Sequence, residues 1–297
     1  MRSHLVYARS PRWADLAPHL DELCGGAGFT VHKAEGRVRA GLLDLKDGDR
    51  VFVKQIETRS TVSGLIERIR GSRAQRAVRG SAMLAAAGIE HPAPLAALEI
   101  RSALGAVTRS YLVSEALQRA QTLSVFALGR RGELRRDMSR RVAITRVVAK
   151  AVRRMHDAGL YTRDLQETNL MLETDADGYR VYFLDLEDFA SARSVAIRRR
   201  LSNLMHLDRS IGRFVNRAGR LRFLCAYLEP GHDRTELRRV AGRLLRMRAR
   251  LDRRASRPAR NETTSALRWC RSAEVRDRRT DYIPEKSSGI ADSQTQA

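Results

Sequence analysis

The sequence predicts an α+β fold of two lobes, a small strand-rich N-terminal lobe followed by a larger helical C-terminal lobe. Short apolar runs separated by turn signals occupy residues 28–117, whereas helical periodicity dominates residues 118–252. A hairpin pattern near the start of the helical part lies where the two lobes would meet. Clefts between lobes are common ligand sites, so we expect the functional residues to converge there.

The N-terminal lobe follows an N-terminal extension, residues 1–27, and begins with paired strands. Asp47-Gly48 separates two apolar runs, which is typical of a hairpin turn. Residues 65–87 have helical spacing and an alanine-rich end that Gly88 terminates. Two further strands are predicted over residues 97–101 and 110–114.

The C-terminal lobe opens with a long helix that Asp137 can cap and that ends near Gly159. A hairpin over 170–184 follows, and further helices are expected over 197–247. From residue 253 onward the chain is polar and without periodicity. Residues 253–297 are therefore predicted to be a disordered tail, in which Trp269 is the one candidate for docking.

The charge of the chain points to an anionic partner. Among 297 residues there are 56 Lys+Arg against 34 Asp+Glu, a formal net charge of +22, and only five of the basic residues are lysines. Arginine binds phosphate and carboxylate bidentately, which favours nucleic acid, a phosphorylated glycolipid at a membrane surface, or a nucleotide. Codon composition explains the preference for arginine equally well, so charge alone does not choose the partner.

Other features of the sequence indicate where in the cell the protein is located. No apolar run approaches the roughly 18 to 20 residues of a membrane-spanning helix, and the N-terminus lacks the apolar core of a secretory signal. Three widely spaced cysteines favour reduced thiols over a disulfide framework or a zinc cluster. These features predict a cytoplasmic protein.

Two features of the N-terminal lobe suit nucleotide binding. Lys54 ends the apolar run Val51-Phe52-Val53, where an ammonium group can reach phosphate oxygens in the cleft. The apolar strand before Glu115 and Ala116 can present backbone groups to an adenine edge. Each feature also has a structural explanation, a solvated strand end and a buried strand respectively.

Two features of the C-terminal lobe suit phosphoryl transfer. Asp164 and Asn169 share one short loop, in which a carboxylate can accept a proton from an attacking hydroxyl and an amide oxygen can ligate Mg²⁺. Asp185 follows an apolar strand, a position where hard cations are often held, and Asp188 is an alternative ligand. Capped turns account for both patterns as well, so neither is specific by itself.

The order of these features is more specific than any one of them. A strand lysine, a helix, a connecting strand, an Asp-x-x-x-x-Asn loop, a hairpin and a carboxylate follow one another as in protein-kinase-like phosphotransferases. Over residues 28–250 the chain also resembles the bacterial lipopolysaccharide core kinases, which phosphorylate heptose or Kdo sugars. The segments that carry the resemblance are TRDLQETNL, FLDLED, AAAGIEHPAP and RLRFLCAYL.

The resemblance implies a protein-kinase-like fold, the cofactors ATP and Mg²⁺, and a role for each matching residue. Lys54 would hold the ATP phosphates, and Asp164 would act as the catalytic base or orient the sugar hydroxyl. Asn169 and Asp185 would bind Mg²⁺. The nucleotide-binding residues would be the two loop glycines and the two connector residues: Gly36, Gly41, Glu115 and Ala116. His156 is expected to pack inside the helical lobe rather than take part in chemistry.

Three departures from the kinase pattern bear on activity. Thr162 stands where the catalytic loop usually has histidine. Ala77 occupies the helix position of the glutamate that pairs with the strand lysine, and Glu67 is a substitute only if the helix starts earlier. The nucleotide loop has only two glycines, so Arg37 or Arg39 is a candidate for direct phosphate contact.

The sequence thus predicts a cytoplasmic kinase of a lipopolysaccharide core sugar, peripheral to the inner membrane. Arginines around residues 59–73 and 198–200 would face the anionic lipid A acceptor. The first alternative is a protein or small-molecule kinase of the same fold. The second is a basic pseudokinase that binds membrane or nucleic acid. Nucleic acid is the less favoured partner, because no aromatic-interleaved basic stripe is present.

Overall fold

The computed structural model describes residues 1–128, 137–176, 178–212, 215–228, 231 and 233–255. The N-terminal lobe contains a six-stranded antiparallel sheet of order β1-β5-β6-β4-β3-β2. The strands are β1 (Arg2–Ala8), β2 (Phe29–Glu35), β3 (Val38–Asp44), β4 (Arg50–Glu57), β5 (Pro94–Arg101) and β6 (Val107–Glu115).

The β3–β4 hairpin forms at the predicted turn. Leu45 donates its N–H to the carbonyl of Asp49 over 2.8 Å, and Gly48 supplies the positive φ of +88° that the turn requires. The alternate residues Val51 and Val53 are buried, as the pattern predicts. Strand β4 continues to Glu57, so Lys54 lies within the strand and not at its end.

The first 27 residues contribute to the sheet, which sequence analysis does not anticipate. Strand β1 pairs with β5 and forms one edge. The short helices α1 (Pro11–Leu16) and α2 (Leu20–Leu23) then pack against the sheet. Their apolar side chains, including Trp13 and Leu20, are buried with Leu98 and Tyr111. The burial of this segment stabilises the edge of the sheet.

Two helices replace the single helix predicted over 65–87. These are α3 (Thr61–Arg70) and α4 (Arg73–Ala86), and Gly71 separates them at a φ of +90°. Ser60 and Ser72 cap the two N-termini, because each hydroxyl accepts a hydrogen bond from the N–H three residues later. The break falls where a left-handed glycine stops one helix and a serine starts the next.

The C-terminal lobe is mainly helical, as predicted. Asp137 caps its long helix by accepting a hydrogen bond from the N–H of Arg140 over 2.9 Å. The helices are α5 (Leu123–Leu128), α6 (Met138–Asp157), α7 (Ile197–Ile211), α8 (Arg217–Leu228) and α9 (Arg234–Ala255). The strands are β7 (Ala120–Thr122), β8 (Leu160–Thr162), β9 (Leu170–Asp175), β10 (Gly178–Phe183) and β11 (Phe189–Ser191), which form sheets β10-β9-β7 and β11-β8.

The two lobes meet where α4 packs against a 3-10 turn at Leu186–Asp188. The packed face of α4 carries the small buried residues Ala77, Gly80 and Ser81. A Cβ atom on Gly80 would lie 2.0 Å from the carbonyl oxygen of Leu186, so only glycine permits this approach. The helix therefore contacts the turn through its backbone.

The end of the chain differs from prediction in one respect. Residues 253–255, assigned from sequence to the tail, complete helix α9. The remainder of the predicted tail, including Trp269, lies outside the described residues.

We expect Gly80→Ala to destabilise the protein. The added methyl group collides with the Leu186 carbonyl and forces α4 from the turn, at a cost of about 2 kcal/mol in the free energy of unfolding. Gly242→Ala on α9 is the matched control, because its Cβ meets only the flexible end of Arg246 at 3.3 Å. Urea unfolding should show no loss for Gly242→Ala, and equal losses in both variants would contradict close packing at Gly80.

Candidate active site

The side chain of Lys54 joins the two lobes at the cleft. Its Nζ donates to Oδ1 of Asp185 over 2.7 Å and to Oε1 of Glu187 over 2.8 Å. The lysine side chain is 15% exposed and that of Glu187 is 9% exposed, whereas Asp185 is 39% exposed. The nearly buried carboxylate of Glu187 thus holds the ammonium group, and the more accessible carboxylate of Asp185 faces the cleft.

The charge of Lys54 is maintained despite burial. Burial by itself lowers the pKa of the ammonium group, but the carboxylates of Glu187 and Asp185 outweigh it and the pKa is raised. The lysine is therefore protonated at neutral pH. A protonated lysine in this position can pair with phosphate oxygens.

Asp185 has an unusual backbone. Its φ of 52° and ψ of 54° make it the one residue other than glycine with a positive φ among those that the structure describes. Such a conformation carries strain in a non-glycine residue, and strained residues concentrate at functional sites. The conformation turns the chain out of β10, so that Asp185 and Glu187 both reach Lys54.

The catalytic-loop candidates lie on the segment between β8 and β9. One oxygen of the Asp164 carboxylate accepts a hydrogen bond from the side-chain amide of Gln166, and the Asp164 N–H donates to Oγ1 of Thr162 over 3.2 Å. Nδ2 of Asn169 donates to the carbonyl of Asp164 over 3.0 Å. This bond uses the amide nitrogen of Asn169, so its Oδ1 is the atom that can ligate a cation.

A series of buried, hydrogen-bonded side chains supports this loop from inside the C-terminal lobe. Nδ2 of Asn203 donates to the carbonyl of Thr162 over 2.6 Å, and its Oδ1 lies 3.1 Å from Nε2 of His156. Nδ1 of His156 lies 2.8 Å from the hydroxyl of Tyr227. Burial lowers the pKa of His156 to about 4, so the ring is neutral at pH 7. The expectation that His156 packs inside the helical lobe is confirmed.

Acidic side chains give the cleft a negative field. Burial raises the pKa of Asp188, and the carboxylates of Glu187, Asp185 and Asp164 raise it further. Within the described ranges no three or more His, Cys, Asp or Glu side chains are arranged to hold a metal ion. Mg²⁺ is usually held by one or two carboxylates together with substrate phosphates, so the donors at Asn169 and Asp185 fit that ion chemically.

The two glycines proposed for the nucleotide loop have different settings. Gly36 lies in the β2–β3 turn with a φ of +57° and open space around it. Gly41 lies within β3, and a Cβ there would be 2.1 Å from the carbonyl oxygen of Thr30. The close pairing of β2 with β3 is thus a structural reason for glycine at position 41.

Of the two connector residues, Glu115 ends β6 and Ala116 follows it. The N–H of Glu115 donates to the carbonyl of Ala93 over 3.0 Å, and its carboxylate pairs with Arg9 over 2.6 Å. The carbonyl of Ala116 accepts a hydrogen bond from the N–H of Gln118 over 3.0 Å. The N–H of Glu115 is therefore engaged within the N-terminal lobe.

The carboxylate partner of Lys54 is not one that the sequence pattern indicates. Ala77 is buried against the lobe junction, and Glu67 lies on α3, where it accepts a hydrogen bond from Thr58 over 3.2 Å. The carboxylate comes instead from Glu187, two residues after Asp185. The acidic run Asp185-Leu186-Glu187-Asp188 was visible in the sequence, but only the turn geometry directs its middle carboxylate at Lys54.

A strand lysine held by carboxylates after a hairpin, facing a loop that carries Asp164 and Asn169, defines a phosphotransferase of the protein-kinase-like fold. The lipopolysaccharide kinase (Kdo/WaaP) family matches residues 31–227. The chain belongs to this family, which confirms the resemblance seen in the sequence.

One solved structure shows the same fold. The chain is similar to WaaP in complex with acyl carrier protein, with a TM-score of 0.61 and 24% identity over 86% of this chain and 100% of that one. It also matches the Rio2 kinase-ADP/Mg²⁺-phosphoaspartate complex from Chaetomium thermophilum, with a TM-score of 0.42 and 15% identity over 79% of this chain and 75% of that one. The search of curated proteins found no match.

We expect Glu187→Gln to lower kcat/KM for ATP about tenfold or more, because the hydrogen bond from Lys54 loses the negative charge of its acceptor. Glu67→Gln is the matched control, since Glu67 bonds Thr58 and not Lys54. Phosphoryl-transfer rates at varied ATP concentration measure both. If Glu67→Gln were the impaired variant and Glu187→Gln were not, the partner of Lys54 would be misassigned.

Proposed function

We propose that this chain transfers the γ-phosphoryl group of ATP, with Mg²⁺, to a heptose or Kdo hydroxyl of the lipopolysaccharide core. Family membership supports phosphorylation of this class of acceptor. The observation that carries the proposal is the pairing of Lys54 with Asp185 and Glu187, opposite the loop that presents Asp164. The cleft thus contains a phosphate-binding cation (Lys54), a cation-binding carboxylate (Asp185) and a base (Asp164).

Each residue has a specific task in the proposed reaction. Lys54 holds phosphate oxygens of ATP, and Asp164 accepts the proton of the acceptor hydroxyl or orients it. Gln166 fixes the Asp164 carboxylate through its hydrogen bond. Asn169 and Asp185 are the proposed Mg²⁺ ligands, with Asp188 as the alternative to Asp185. When bound, Mg²⁺ neutralises the charge that develops on the transferring phosphoryl group.

The region after Asp185 favours a sugar acceptor over a protein. The 3-10 turn leads directly into β11, which pairs with β8, and α7 begins at Ile197. Few residues remain between β11 and α7 to form a platform for a substrate peptide. A protein acceptor is therefore less favoured than a sugar acceptor. The pseudokinase alternative had two supports, the charge of +22 and Ala77, and it loses the second because Glu187 supplies the carboxylate that Ala77 lacks.

The acceptor explains the charge of the chain. A lipid A-linked core is anionic and anchored in the membrane, and the net charge of +22 complements it. No helix among the described residues is long and apolar enough to cross a bilayer. We propose a cytoplasmic protein that contacts the inner membrane peripherally, because the proposed acceptor is anchored there.

A cavity in the C-terminal lobe supports a second partner. It measures about 870 Å³, lies among α6, α7, α8 and α9, and is lined mainly by leucine, isoleucine and valine, together with five arginines. The similar WaaP structure contains acyl carrier protein. We propose that an acyl carrier protein binds here and inserts its acyl chain into the apolar cavity.

We expect the purified kinase to phosphorylate lipid-linked core in preference to free core oligosaccharide and to generic protein substrates. Labelled ATP and this acceptor panel measure the preference.

Asp164→Ala should lower turnover by a factor of about 100 or more, because the group at the acceptor hydroxyl is lost. Asp15→Ala, an exposed change on α1, is the control. Turnover of Asp164→Ala within a few fold of the wild type would contradict the assignment.

An acylated carrier protein should bind at least about tenfold more tightly than the unacylated form, because the chain buries apolar surface in the cavity. Titration calorimetry measures both. Leu221→Glu places a charge in the lining and should remove the difference, whereas Met138→Glu, exposed outside the lining, should preserve it. Equal affinity of the two carrier forms would exclude the cavity as the acyl site.

A further inference from the structure

Helix α3 exposes an apolar face to solvent. Its four large apolar residues recur at helical spacing and share one side of the helix: Val62, Leu65, Ile66 and Ile69. Their exposed fractions run from 40% at Leu65 to 85% at Ile69. A surface helix normally turns such a stripe toward the core, so its outward orientation needs an explanation.

The opposite face of α3 accounts for this orientation. A Cβ atom on Gly64 would lie 2.2 Å from the carbonyl oxygen of Val107, so the helix backbone lies directly against the start of β6. Glu67 on the packed side accepts a hydrogen bond from Thr58. Because small and polar residues hold α3 on the sheet, its apolar side chains stay exposed, Val62 and Ile69 most of all.

Arginines border the apolar face. In the helical projection Arg68 and Arg70 fall on its two sides, and Arg59 and Arg73 lie just before and after the helix. All four are exposed, and none has an ion pair within the part of the chain that the structure describes. The apolar stripe is thus flanked by cationic groups that are available to an anionic partner.

The neighbouring β5–β6 turn extends the face. Leu104 in this turn is 75% exposed. A Cβ atom on Gly105 would lie 2.3 Å from Nη1 of Arg68, so the guanidinium group lies against the turn. The turn that carries Leu104 therefore lies beside the arginine margin of α3.

The second arginine cluster has a different role. Arg200 pairs with Asp157 over 2.7 Å and donates to the carbonyl of Val195 over 3.1 Å. The guanidinium of Arg199 lies 4.3 Å from the ring centre of Tyr161. Two of the three arginines at 198–200 are thus engaged within the C-terminal lobe, which leaves α3 as the stronger candidate for an anionic surface.

We propose that α3, together with Leu104, is a membrane-docking surface that inserts into the interface of a bilayer containing anionic lipid. Amphipathic helices with basic margins bind such interfaces through apolar burial and attraction to anionic headgroups. Charge favours the bilayer over a second copy of this chain, because two surfaces with arginine margins, each on a chain of net charge +22, repel one another.

The proposal deepens the proposed function by naming the surface that meets the membrane. Only three residues separate β4, the strand of Lys54, from α3, and α4 then contacts the catalytic turn. A bilayer bound at α3 thus lies on the lobe that carries the nucleotide lysine. Membrane binding does not require catalysis, so the two proposals fail separately.

Flotation of the full chain with vesicles tests the surface. Vesicles of phosphatidylethanolamine and phosphatidylglycerol in a 3:1 ratio should bind the wild type, and vesicles of phosphatidylcholine should bind it at least about tenfold more weakly. Ile66→Asp with Ile69→Asp should lower binding about tenfold or more. Met138→Asp, a single substitution of the same kind at an exposed apolar residue of α6, should alter it less than twofold.

Two further measurements separate the possible occupants. In Ile69→Trp the tryptophan emission should shift to shorter wavelength with the anionic vesicles and be quenched by brominated lipid. Asp164→Ala should bind vesicles as the wild type does, even though its turnover is lost. The proposal is overturned if the wild type fails to bind the anionic vesicles, or if the Ile66/Ile69 variant binds them normally. It is also overturned if that variant converts a dimer to a monomer in size-exclusion chromatography.

Discussion

The contact of Lys54 with Glu187 and Asp185 is the interaction on which the architecture of the cleft depends. A lysine in the middle of a buried strand is costly unless its charge is paired, and removing one partner of a buried ion pair costs about 3–5 kcal/mol. Both carboxylates belong to the C-terminal lobe, whereas the lysine belongs to the N-terminal lobe. The electrostatic requirement of one strand residue therefore fixes how the catalytic turn lies against the sheet.

Two backbone features make this contact possible. The left-handed conformation of Asp185 bends the chain after β10, and the glycine at position 80 lets α4 lie directly on the turn that follows. In kinases that carry the lysine partner on the helix, the helix must present a long side chain. Here the helix presents small residues and the turn presents the carboxylate. The small residue Ala77 on the helix and the carboxylate of Glu187 on the turn thus replace the usual helix glutamate together.

The polar groups below the catalytic loop explain how Asp164 is held in place. His156, Asn203 and Tyr227 form a buried chain that ends on the carbonyl of Thr162. Such networks are rigid when every member is bonded, because an unpaired buried group is expensive. Thr162 takes part through both its carbonyl and its hydroxyl, so the loop is supported although it lacks the usual histidine.

Sequence by itself determined the two-lobed class, the hairpin at Asp47-Gly48, the Asp137 cap and the candidate residues Lys54, Asp164, Asn169 and Asp185, because these depend on local periodicity and on residue order. It did not determine the partner of Lys54, the edge strand β1 or the break at Gly71. Whether the apolar face of α3 is buried was likewise undetermined, since the same spacing over Val62–Ile69 fits a buried face and an exposed one. Tertiary structure decided these points: a carboxylate, a strand edge and a helix face acquire their partners only when residues distant in the chain pack together.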